Sequence, residues 1–226
     1  MYWVHDPEPL SAKAGAHRFV WDLHYAFSAD VHTSFYGPKA PLALPGKYTV
    51  KLTVNGQSQS RPLELKMDPR IKISQADLEK MFRPESRVAK NLADLSIALK
   101  HAQELQANLA VRKKEMASNS EAADALGTLD RKTAELMGVQ VEHEFGVFGL
   151  TVRATQTVTL REALHATTGL LSIVQSADSA PTADAAVAIE KWDSATKSIL
   201  ERWGALWQHD RTRVNSLLQK ANLKPL

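Results

Sequence analysis

The stretch Ala183–Ala221, ADAAVAIEKWDSATKSILERWGALWQHDRTRVNSLLQKA, carries a single apolar stripe: Ala185, Ile189, Trp192, Ile199, Trp203, Leu206, Val214 and Leu217. The steps are mostly three and four residues, the spacing of a helix that buries one face. Gly204 is the only Gly or Pro within it. The spacing predicts one helix of about 38 residues, roughly 57 Å long at 1.5 Å per residue. Apolar side chains in this number need cover, so the upstream chain must supply packing partners.

Helical spacing begins at Ser74. Leu78, Met81, Phe82, Val88, Leu92, Leu95, Leu99, Ala102 and Leu109 form a stripe that predicts a first helix ending near Met116. Pro84 lies inside it and predicts a kink or restart near Arg83. Ser118-Asn119-Ser120 reads as a loop and cap, followed by a second helix over Glu121–Met137 with Leu126, Leu129 and Leu136 inward and Gly138 as its stop. Thr159 with Glu162 makes a capping box for a third helix running to Ala177, with Leu160, Leu164, Leu171 and Val174 inward. Ser179-Ala180-Pro181 breaks the chain, and Thr182 caps the fourth helix. Two long and two shorter helices with short connections predict an antiparallel four-helix bundle over residues 73–226.

Within the first 72 residues, 1–16 lack a clear period and 26–43 are irregular, but two stretches have period two. His17–Tyr25 reads as a strand with Phe19, Trp21, Leu23 and Tyr25 on one face. Pro45-Gly46 is a turn. In KYTVKLTV, Tyr48, Val50, Leu52 and Val54 alternate with Lys47, Thr49, Lys51 and Thr53. Asn55-Gly56 is a strong two-residue hairpin signal, because both residues tolerate positive φ. Leu63, Leu65 and Met67 face inward on the return strand. These segments predict a small antiparallel β-sandwich, and the whole chain an α+β fold in two parts, 1–72 and 73–226.

The chain has 226 residues, 44% hydrophobic and 23% charged, with a formal net charge of +3. That composition is ordinary for a globular protein. Basic and acidic residues are interspersed, so no nucleic-acid partner is expected. The run Arg112-Lys113-Lys114 falls where a helix end welcomes cations. There is no Cys, which excludes disulfides, thiolate chemistry and Cys-ligated zinc. The start MYWVHDPEPL has no basic region followed by an apolar core, so no export signal is read there. No apolar run approaches the roughly 20 residues of a membrane span.

No catalytic, cofactor or metal set is expected. Glu142-His143-Glu144 is metal-like in composition, but neither strand nor helix geometry gathers all three. His17, Asp22 and His24 offer at most a pair of neighbours. No nucleophile-elbow, phosphate-loop or zinc-helix motif occurs. Trp192, Trp203 and Trp207 are the candidate binding residues, since aromatic rows stack sugars. Trp192 and Trp203 share the aliphatic stripe, which favours a core role for them.

The order PLSAKAGAHRFVWDLHY (residues 9–25), a Pro/Gly-containing insert, LPGKYTVKLTVNGQSQSRPLELKMDPR (residues 44–70) and then a helical region resembles the C-terminal region of bacterial proteins with sialidase-like (BNR-repeat) β-propellers, labelled glycosyl hydrolases. Residues 45–56 are also similar to an Ig-like domain of flagellar hook-capping proteins. The resemblance implies a non-catalytic accessory module whose partner is a β-propeller domain, with the propeller repeats and their active site missing from this chain. It also implies a fragment or stand-alone tail, and full-length relatives that are periplasmic or secreted. Apolar positions near residues 2–3 and 19–25 are the expected contact surface.

Overall fold

The computed structural model describes residues 11–27, 31, 38–115, 121–138, 157–176 and 179–226. Two strands, β1 (Gly46–Val54) and β2 (Gln57–Leu65), are followed by α1 (Gln75–Glu115), α2 (Glu121–Met137), α3 (Leu160–Val174), α4 (Ala183–Ala205), a π-helical turn (Leu206–Asp210) and α5 (Arg211–Lys220). The expected elements Glu142-His143-Glu144 and Ser118-Asn119-Ser120 lie outside the described residues.

The helical part is not the expected four-helix bundle. It is built of three rods. The first is α1, 41 residues, about 62 Å long at 1.5 Å per residue. The second is α2 and α3 placed end to end. Gly138, just past α2, touches Thr159, the N-cap of α3, so α3 resumes where α2 stops. The third is α4, the π turn and α5. Arg87 and Glu190 pair near the starts of α1 and α4, which therefore run the same way. Lys113 on the last turns of α1 pairs with Asp130 of α2, and Gln175 after α3 bonds Glu85 near the start of α1, so the middle rod runs opposite. Among the described residues the helices thus form three rods, because two of the four expected ones share a single rod.

The core divides along the same line. Val88, Ala89 and Leu92 pack with Leu170, Leu171 and Ile189. Further along, Leu95, Leu99, Leu105 and Leu109 pack with the inward side chains of α2 and with Ile199, Trp203, Leu206, Val214 and Leu218. Helix α1 runs through Pro84 without restarting at Arg83. At its N-terminus the Asp77 N–H donates to Ser74 Oγ at 3.1 Å, and the Ser74 hydroxyl donates to the Asp77 carboxylate at 2.6 Å. The Thr159/Glu162 box is complete in both directions.

The β-sandwich is also corrected. Among the described residues there is one two-stranded antiparallel sheet. The alternation in 17–25 does not make a strand, because Leu23 sits at φ +67, which turns the chain. Trp21 Nε1–H donates to the carbonyl of His24 at 2.7 Å, closing a local loop instead of a ladder. What remains of pairing is a single bridge between His24 and Leu42. This coil lies on the helices: Phe27 and Val31 pack against the Val88 cluster, and Tyr25 meets Phe82 of α1 at 5.8 Å.

Candidate functional site

The hairpin register pairs Val54 with Gln57, Leu52 with Gln59, Val50 with Arg61 and Tyr48 with Leu63. Asn55 at φ +51 and Gly56 at φ +80 form the two-residue turn that fixes it. Side chains alternate across the sheet, so the apolar Tyr48, Val50, Leu52, Val54, Leu63 and Leu65 share one face with Gln57, Gln59 and Arg61 of β2. The sequence places these apolar residues together and inward. The structure keeps them together and leaves them bare: Val50, Leu52 and Val54 are 53%, 52% and 57% exposed. No strand Cα comes within 8 Å of a helix Cα.

The base of the hairpin is anchored where the tip is not. Trp21 meets Tyr48 edge-on at 5.8 Å, and the Tyr48 hydroxyl donates to the Leu44 carbonyl. The neighbouring Tyr25 hydroxyl holds the Tyr48 phenol above its ordinary value, with burial adding to the effect. Since Tyr25 also contacts Phe82, an aromatic chain links sheet to α1. In the coil before Trp21, Phe19 and Val20 are 63% and 67% exposed. Tyr2 and Trp3, expected to contribute, lie outside the described residues.

The tryptophans sit elsewhere. Trp203 is buried in the larger core cluster, and Trp192 is half-buried against the smaller one. Trp207, in the π turn, is crowded by the Trp203 ring at 5.5 Å, a stacked His101 at 5.7 Å and the Arg211 guanidinium 4.0 Å over its ring. An aromatic already stacked this way has little face to offer a sugar. Asp210 of the same turn is held by Lys132 of α2 at 2.6 Å.

The remaining polar candidates are local. His24 donates its backbone N–H to Asp22 at 3.1 Å, and this bond is the main cause holding the Asp22 carboxyl below its usual range. His17 bonds the Lys13 carbonyl instead of joining them. Among the described residues no three His, Asp or Glu side chains are placed to hold a metal ion. A shallow concavity of about 440 Å³ between α1 and α4 is lined by Asn91, Asp94, Asp193, Thr196, Lys197 and Glu201, with Asn91 already bonded to Asp193 at 2.7 Å. Among the described residues no helix is long and apolar enough to cross a membrane.

Set against known proteins, no family model, no curated protein and no solved structure matches this chain. The likeness to the propeller tail therefore rests on the sequence reading, from residues 9–25 and 44–70 through the helical region with its Ala180-Pro181-Thr182 break.

Proposed function

We propose that this chain is a non-catalytic docking module that presents the apolar face of the β1–β2 hairpin to a β-rich partner domain, of the kind the propeller-tail resemblance implies. One observation carries this reading: the hairpin holds Val50, Leu52 and Val54 exposed and away from its own helices. A two-stranded sheet is marginal alone, and an apolar patch of this sort marks an interaction surface. The three helical rods, packed on their own core, supply the mount.

The test is a calorimetric titration of the intact chain against an isolated sialidase-like propeller lacking its own tail. Saturable binding, lost when Val50→Lys and Leu52→Lys are combined, is the expected result. No heat of binding, or binding unchanged by the double substitution, overturns the proposal. An assay on glycosides and sialosides should show no turnover. Turnover abolished by one carboxylate substitution would also overturn it.

A further inference from the structure

We infer that the outer edge of β1 accepts an added strand from the partner, and that this strand alternates acidic and apolar residues. The inference rests on the docking reading above and specifies its chemistry.

A two-residue turn makes Val54 and Gln57 a hydrogen-bonded pair, and the pairs then alternate along the ladder. Thr53–Ser58, Lys51–Ser60, Thr49–Pro62 and Lys47–Glu64 are consequently the non-bonded pairs. In such pairs the N–H and C=O groups point away from the partner strand. The close approach of Thr53 Oγ1 and Ser58 Oγ, 2.7 Å, fits this assignment. The two outer edges therefore differ. On β2, Pro62 occupies an outward position and has no N–H to offer, which interrupts that edge. On β1, Lys47, Thr49, Lys51 and Thr53 present an unbroken outward row of donors and acceptors, and among the described residues no strand pairs with it.

The side chains state what the added strand carries. Lys47 and Lys51 stand four residues apart on the polar face, and neither has an ion-pair partner among the described residues, Glu64 pairing with Lys66 at 3.3 Å. Between Gly46 and Lys66 the chain has Lys47, Lys51, Arg61 and Lys66 against Glu64, a net charge of +3. A strand laid beside β1 meets these lysines on one face and Tyr48, Val50, Leu52 and Val54 on the other. Opposite charges across strands stabilise, and like charges oppose. Antiparallel pairing of a second copy's β1 edge about Thr49 sets Lys47 against Lys51, and pairing about Lys51 sets that lysine against its own copy, so like charges oppose these two registers. A lipid surface is disfavoured too, since it leaves the outward N–H groups unpaired in an apolar medium.

The experiment is an NMR titration of the ¹⁵N-labelled full chain with the capped peptide Glu-Val-Thr-Val-Glu-Val-Thr, whose glutamates match the lysine spacing. Expected are saturable shifts confined to β1 and slowed exchange of the Thr49 and Lys51 amides, with at least tenfold weaker binding when Lys replaces both glutamates. Thr49→Pro removes one outward N–H and leaves the ladder to β2 intact, so it should weaken binding at least tenfold while Thr53 and Ser58 keep their shifts. Lys51→Glu, which spares the backbone, should weaken it also. Shifts absent from β1, binding indifferent to peptide charge, or a folded Thr49→Pro that binds as wild type overturns strand addition. Uptake on phosphatidylglycerol vesicles unaffected by Thr49→Pro would overturn it in favour of a lipid surface. If Thr49→Pro still binds the propeller while Val50→Lys/Leu52→Lys does not, strand addition fails and the docking reading stands.

Discussion

Gly138 and Thr159 lie so close that a Cβ on the glycine would fall 2.4 Å from Thr159 Oγ1. Gly138 also holds φ +78, a left-handed end to α2. This contact joins α2 to α3 and makes one rod of two helices. Gly138→Ala should therefore destabilise twice over, through backbone strain and through displacement of the Thr159 cap. The expected loss is about 2–3 kcal/mol, read by urea denaturation. Thr159→Ala, which deletes only the cap, should cost about 1 kcal/mol.

Gly127 and Gly169 give the opposite sign. Both lie inside helices, and a Cβ added at either meets nothing within 4 Å. Ala at each position should stabilise by up to about 1 kcal/mol, by the difference in helix propensity alone. Thermal unfolding of the two single variants and their combination checks this, and sites this far apart in separate helices should add.

The helices were legible because their signals are local. Thr159 with Glu162, Thr182, and Gly138 after Met137 each act within one turn of the position they mark. The hairpin was legible for the same reason, since Asn55-Gly56 sets its own register. The errors are long-range. Nothing near Gly138 or Thr159 in sequence says that two residues 21 apart are in contact, so the sequence predicts two rods where the structure has one. Period two in 17–25 counted side chains and missed the positive φ of Leu23. Val50, Leu52 and Val54 were grouped correctly on one face, but alternation reports a face and not what covers it.

Burial separates two leucines that the sequence treats alike. Leu171 is fully buried where α1, α3 and α4 meet, whereas Leu52 is half-exposed on the hairpin. Leu171→Ala should cost about 2–5 kcal/mol through lost packing and a cavity. Leu52→Ala should stay within about 0.5 kcal/mol in the absence of a partner. Parallel denaturant melts of the two variants decide the matter.

The start of α1 has a pH signature. The Ser74 hydroxyl, followed by Lys80, holds the Asp77 carboxyl below its ordinary 3.8. A carboxyl lowered in the folded state stabilises fully above its unfolded value, and the contribution disappears as pH falls through the folded one. The melting temperature of wild type should exceed that of Asp77→Asn at neutral pH. The gap should close below pH 3.8. A gap that persists to pH 2 would show that the carboxylate charge is not its source.

The π turn at Leu206–Asp210 explains why the apolar stripe drifts. Continued as a plain helix from Leu206, the buried row reaches Leu217, three turns on. One extra residue in the turn moves it to Leu218, which is fully buried while Leu217 is only half-buried. Deleting the exposed Gln208 should convert the turn to α-helix and leave Val214 and Leu218 pointing inward. The expected cost is below about 1 kcal/mol, against about 2–5 for Leu218→Ala. What the deletion should change is Trp207, which the turn swings toward His101 and Arg211. Its emission and acrylamide quenching should shift toward those of an exposed indole, while Trp203 stays protected. A deletion that unfolds the chain would show that the Trp207 stack holds the third rod in place.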